Sequence, residues 1–219
     1  MLRLKLLEAS LVAAAVSVSA SYACAEDFSA KLSGFNEIGS IPTSVTVPTA
    51  PPPPVTVTTS YTGAVLSDGR GTAKLDLDRN AGTIAYTRTY KNVGVTPPKT
   101  GTVLFAHIHF GKSRDSGGVL VFFCTNVMFG GTGPTPPSCN TDSSGSGTVS
   151  GMWKAENVQA IPGQNVQAGD FDVLVDALTS NTAYANIHTT SGTMPDTAFP
   201  GGEIRGQVHS EDREHREDR

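Results

Sequence analysis

No stretch of this 219-residue chain interleaves basic residues with aromatics, which argues against nucleic acid as a partner. No apolar run is long enough to span a bilayer. No Asn-x-Ser/Thr sequon occurs, so nothing points to N-glycosylation. Catalytic signatures are also missing. There is no nucleophile elbow, no Ser-His-Asp order in a recognisable motif, and no phosphate-binding glycine loop ahead of a helix. These gaps argue against an enzyme. Histidine is scarce, with five in the chain, and there is one tryptophan. Any site built from imidazoles must therefore draw on very few residues.

Turn formers are plentiful, with 23 glycines and 14 prolines. The first 25 residues read as a secretory signal peptide. Arg3 and Lys5 supply the positive start, residues 11–18 are small and mostly apolar, and Ala23-Cys24-Ala25 forms the cleavage site. Lipidation at Cys24 is the poorer reading, because Ser21-Tyr22-Ala23 lacks the aliphatic residue usual there. The expected product is secreted or periplasmic and has no membrane span. It is more acidic than the formal net charge of −4, since the leader carries Arg3 and Lys5 against Glu8. Cleavage leaves two cysteines, Cys124 and Cys139, and an even pair in an exported chain points to one disulfide.

Along the mature chain, period-two patterns predict strands over residues 28–36, 72–78, 83–90, 103–110, 118–124, 147–154, 184–189 and 203–209. Residues 118–124 are continuously apolar, as a strand buried on both faces would be. Residues 170–180 break the alternation. Phe171, Leu174, Val175 and Leu178 fall at helical spacing behind a potential Asp170 cap, which predicts one amphipathic helix. Residues 39–60 are rich in Pro, Thr and Val and read as an extended, polyproline-like insert. Residues 210–219 form a charged tail with no apolar residue, read as solvated and disordered. The domain then spans 26–209. Tyr86, Arg88 and Tyr90 alternate on their strand and read as half-exposed sheet surface.

Three segments stand out: Phe105-Ala106-His107-Ile108-His109-Phe110-Gly111, Tyr184-Ala185-Asn186-Ile187-His188-Thr189 and Gly202-Glu203-Ile204-Arg205-Gly206-Gln207-Val208. Same-face neighbours on a strand lie about 6.5–7 Å apart. Ile108, Ile187, Ile204 and Val208 would point one way, and His107, His109, Asn186, His188, Glu203, Arg205 and Gln207 the other.

With Phe28-Ser29-Ala30-Lys31-Leu32-Ser33-Gly34 and Asn36-Glu37 at the start, these motifs in this order resemble the CHRD domain. That domain is named after chordin and occurs singly in many exported microbial proteins. The resemblance covers almost the whole mature chain. It departs at Ile38-Gly39-Ser40, where the family usually has prolines, and in the insert that follows. It implies a mostly β fold, an antiparallel β-sandwich or Greek-key-like barrel, in an extracellular setting. It does not imply a settled activity. Combined with the helix pattern, the expected fold has one short amphipathic helix.

The polar face admits three readings. The first is a structural network in which Glu37 or Glu203 pairs with Arg205 and the histidines bond to Asn186, Gln207 and backbone carbonyls. The second is a mononuclear site for one copper or zinc ion on His107, His109 and His188, with redox activity as a further expectation of that reading. The third is an anion or small-ligand site around Arg205. The His-x-His strand also resembles the copper-binding strand of copper–zinc superoxide dismutases. A two-metal site of that kind cannot be assembled, because the only other histidines are His209 and His215. The expectation is thus an exported module that binds an extracellular protein or small ligand, with a metalloprotein as the alternative.

Overall fold

The computed structural model describes residues 26–38, 40–47, 55–97, 101–190 and 199–211. The leader, most of the tail and the prolines at 51–54 lie outside the described residues. Strands β1 (Glu26–Ser33), β4 (Arg70–Asp78), β5 (Thr83–Lys91), β6 (Thr102–Phe110), β7 (Val119–Thr125), β8 (Gly147–Trp153), β9 (Ala183–Thr190), β10 (Phe199–Gln207) and β11 (His209–Ser210) form one sheet. A separate hairpin pairs β2 (Ser40–Val47) with β3 (Val55–Thr62). One α-helix, α1 (Phe171–Thr179), occurs among the described residues, where the 3.6-residue spacing placed it. Asp170 stands at its N-cap but makes no side-chain cap bond.

The sheet follows the order β7-β6-β9-β10-β1-β4-β5-β8, with every pairing antiparallel. β11 continues the edge of β1 that β10 leaves: Ser33 faces Arg205, while Phe28 and Ser29 face Ser210 and His209. The path curls until its two end strands nearly meet. Side chains bridge the gap. Trp153 Nε1 on β8 donates to the Phe122 carbonyl of β7 at 2.8 Å, and the Tyr86 hydroxyl on β5 donates to the Phe123 carbonyl at 3.1 Å. The result is a nearly closed antiparallel barrel, which protects the edges an open sheet would expose.

The interior is filled from all sides. Phe28, Leu32, Leu75, Leu77, Ile84, Ile108, Phe123, Trp153, Ile187 and Ile204 are buried. Each such side chain contributes about 1.5–3 kcal/mol through removal from water. Tyr86 stacks on Trp153 with ring centres 4.5 Å apart. Tyr86, Arg88 and Tyr90 were expected at the half-exposed surface, and the structure corrects this. All three point inward beside Ile84, leaving Thr87, Thr89 and Lys91 outside. The two tyrosines can be buried because their hydroxyls reach the Phe123 carbonyl and the Asn140 carbonyl.

The insert is a second correction. Its described part is a regular antiparallel hairpin, with Ser40 opposite Thr62 and Val47 opposite Val55, rather than an extended polyproline loop. The β-branched residues Ile41, Val45, Val47, Val55 and Val57 favour the strand region. Its base is pinched shut, since Val65 N–H donates to the Gly34 carbonyl at 2.8 Å. Replacing residues 40–62 by a short Gly-Ser link should therefore leave the melting temperature within a few degrees. A collapse on thermal scanning would make the hairpin integral to the barrel.

Cys124, at the end of β7, is disulfide-bonded to Cys139 across 15 residues. Asn126 holds the same loop. Its Nδ2 donates to the Val103 and Cys139 carbonyls, and its Oδ1 accepts from Ser138 Oγ and Cys139 N–H. The double variant Cys124→Ala/Cys139→Ala should keep the fold but lose about 3 kcal/mol, the chain-entropy worth of a loop near 15 residues. Urea unfolding reads this directly, and an unchanged midpoint would assign the restraint to Asn126 alone.

Candidate functional site

The site lies on the outer face of β6, β9 and β10. Register brings its residues into rows. Phe105 faces His188, His107 faces Asn186, and His109 faces Tyr184 across β6–β9. Arg205 faces Asn186, and Gln207 faces Tyr184, across β9–β10. Ile108, Ile187 and Ile204 point the other way, into the barrel, and are fully buried.

The outer face is also covered. His107, Asn186, His188, Glu203 and Arg205 are all at least nine-tenths buried. Phe105 stacks on His107 and tilts against His188, with centroids 5.1 and 4.7 Å apart. Phe122 of β7 meets His107 edge-on at 5.3 Å. His109 lies flat on Tyr184 at 4.6 Å, and the Arg205 guanidinium sits 3.3 Å from the centre of that tyrosine ring.

One ring nitrogen from each of His107, His109 and His188 lies within 4.8 Å of the other two. Backbone carbonyls orient two of the rings. His109 Nδ1 is 2.7 Å from the Gly117 oxygen, and His188 Nδ1 is 2.7 Å from the Pro200 oxygen. A carbonyl only accepts, so each Nδ1 carries the proton and each Nε2 keeps its lone pair. His188 Nε2 and His107 Nδ1 are buried without a hydrogen-bond partner. Burial holds His109 and His188 down to about 4, from an ordinary value of 6.5. His107 is pushed well below 6.5 by burial first and then by its two histidine neighbours. All three rings are neutral at pH 7.

These donors fit a small transition-metal ion. Ligand nitrogens about 2.0–2.1 Å from a shared ion stand roughly 3.4–3.6 Å apart. Drawing the three together needs side-chain shifts on the order of 1 Å. The carbonyls behind His109 and His188 are the kind of outer partner that fixes a metal-binding tautomer.

The acidic residues do not join this cluster. Glu37 or Glu203 was expected to pair with Arg205, and the structure engages Glu203 elsewhere. Its carboxylate accepts from Ser67 Oγ at 2.7 Å, Thr189 Oγ1 at 2.8 Å and Gly94 N–H at 3.0 Å. Glu37 accepts from Asn186 Nδ2 at 2.7 Å, and its charge is felt by Arg205. A side chain at Gly202, which has φ +125°, would collide with the Glu37 carboxylate, so this close approach needs glycine. Arg205 Nη2 donates to the Lys112 and Asp115 carbonyls at 2.8 and 2.9 Å. Gln207 Nε2 donates to the Asn181 and Gly111 carbonyls. Both side chains tie down loops, which weakens the reading of Arg205 as an anion receptor.

The sequence reading missed Arg88. Its guanidinium is fully buried, none of its three nitrogens has a hydrogen-bond partner, and it lies 5.2 Å from the Tyr90 ring and 5.3 Å from the Phe123 ring. Burial pulls it down to about 9, so it remains a cation at neutral pH. Its charge further lowers the basicity of His107 and His188. The available signal was its phase with Ile84 on β5, opposite a threonine-rich outer face.

The family model of the CHRD domain matches residues 28–208, and the chain belongs to that family. No curated protein matches the chain. No helix among the described residues is long and apolar enough to cross a membrane.

Neutral buried histidines make stability depend on pH. Their folded values lie below 6.5, so between pH 6.5 and about 4 the unfolded chain binds more protons than the folded one. The stability they confer is complete above pH 6.5 and is lost as pH falls through that window. Urea unfolding of the metal-free protein at pH 7.5, 6, 5 and 4.5 should show falling stability, with at least one proton taken up on unfolding. A flat profile would mean that the rings titrate as in water.

Proposed function

We propose that this CHRD-family chain is an exported, non-catalytic binding module whose ligand is one transition-metal ion, held by His107, His109 and His188. The observation that carries the reading is the convergence of three neutral imidazoles, one nitrogen from each within 4.8 Å of the others. Backbone carbonyls behind His109 and His188 preset the lone pairs that a metal needs. Export rests on the leader-like first 25 residues, with the disulfide as an independent support.

The competing reading is a purely structural polar network. Such a network satisfies its own members, because a buried polar atom without a partner costs about 1–3 kcal/mol. Here the Asn186 and Gln207 amide nitrogens and Arg205 donate to neighbours, but His107 Nδ1 and His188 Nε2 have no partner, and neither do the Asn186 and Gln207 amide oxygens. Two of these open valences are ring nitrogens of the converging histidines, the atom type that binds a transition metal.

Calorimetric titration of the full chain with copper and zinc salts tests the proposal. The wild type should bind one ion per chain. His107→Gln and His188→Gln should each weaken binding about 100-fold while leaving the far-ultraviolet circular dichroism unchanged, in line with the weight of a first ligand over an outer partner. Absence of heat and of thermal shift in the wild type would leave the histidines as packing residues.

A further inference from the structure

We infer that the three-histidine cluster selects copper in its monovalent state over divalent zinc or copper, because it is a neutral donor set backed by the buried Arg88 cation. This rests on the reading of His107, His109 and His188 as ligands, and it concerns which ion they prefer.

Charge accounting gives the direction. The cluster offers three imidazole nitrogens and no carboxylate oxygen. Glu203 is engaged by Ser67, Thr189 and Gly94, and Glu37 by Asn186, while Asp115, whose charge acts on Arg205, does not join the cluster. A divalent ion would therefore keep its full double charge in a buried place. The desolvation cost of an ion rises as the square of its charge, so a monovalent ion faces about a quarter of it.

Arg88 adds to the same side. Its guanidinium is fully buried beside the Tyr90 and Phe123 rings, and its nitrogens have no hydrogen-bond acceptor among the described residues. The Phe123 ring that it touches belongs to β7, at the irregularity where the β6–β7 register shifts between Ala106 and His107. A fixed positive charge repels a dication twice as strongly as a monocation.

Coordination points the same way. Zinc bound by three protein ligands takes a water or substrate as a fourth. Phe105 and Phe122 wall the cluster on the His107 side, and neither can stabilise a polar fourth ligand by hydrogen bonding. Monovalent copper, with a filled d shell and weak hydration, accepts three nitrogens without a fourth.

The test compares affinities under anaerobic, reducing conditions. Competition against bicinchoninate gives the monovalent copper constant, and calorimetry gives the zinc constant. The wild type should bind monovalent copper at least about 100-fold more tightly than zinc. Arg88→Met should narrow that ratio roughly ten-fold, the worth of a unit charge on the order of 10 Å away at an effective dielectric near 20. Arg88→Lys should retain it. If Arg88→Met does not fold, the wild-type ratio decides, together with the potential of the bound copper. That potential should be more positive than that of the aqueous ion. Zinc bound as tightly as monovalent copper would overturn the preference while leaving the metal site intact. A ratio unmoved by Arg88→Met would remove Arg88 from it. Failure to bind any of these ions would overturn both the site and its preference.

Discussion

Strand β9 is buried along its length on both faces, and the rest of the molecule is arranged around that fact. Every side chain from Ala183 to Thr189 is out of solvent. Parallel strands in that position are usually apolar throughout. This antiparallel strand instead alternates, with Ala185 and Ile187 toward the barrel interior and Tyr184, Asn186 and His188 outward. A buried polar face requires partners, and its flanking strands alone cannot supply them. Loops do so. The 111–117 segment gives carbonyls to His109, Arg205 and Gln207, and Pro200 gives one to His188. The loops are thus ordered by the strand's polarity as much as the strand is buried by the loops.

The alternation that drives this arrangement was legible in the sequence. Strand positions, the helix at 171–179, the disulfide pair and the two-faced motifs all follow from periodicity and residue chemistry. What escaped was anything set by barrel closure. Arg88 lies in a Tyr-x-Arg-x-Tyr pattern that reads as polar surface, and only a curled sheet with β7 and β8 brought together turns that face inward. Glu203 lies two residues from Arg205, which suggested an ion pair. The Ser67 hydroxyl, 136 positions earlier in the chain, takes it instead, and local spacing cannot reveal such a partner. The hairpin at 40–62 was obscured by its prolines, although its Thr/Val alternation carried the strand signal.

Arg88 and the histidines stand on opposite sides of the sheet and solve opposite problems. Inside, a cation is kept without a hydrogen-bond acceptor among the described residues, against the quadrupoles of Tyr90 and Phe123. Outside, three bases are kept without their protons. The two are linked, because a buried positive charge helps hold nearby imidazoles neutral. Replacing Arg88 by a neutral residue would relieve the core of an unpaired charge and also raise the basicity of the cluster.

The geometry of the ladders separates the same two halves. β1, β4, β5 and β8 pair residue for residue, from Glu26 opposite Leu77 through Tyr90 opposite Gly147. Register shifts fall on the other side: between Ala106 and His107 and between Ile108 and His109 against β7, between Val103 and Phe105 against β9, and between Phe199 and Ile204 on β10. Irregularities of this kind bend a strand and re-aim its side chains. In β6 one shift falls just before each of His107 and His109, and the two ring centroids stand 4.3 Å apart although residues two positions apart on a regular strand are separated by about 6.5–7 Å. On β10 the shift lies beside Pro200 and Gly202, where one carbonyl holds His188 and the missing Cβ admits Glu37. The departures gather where imidazoles turn toward a common point.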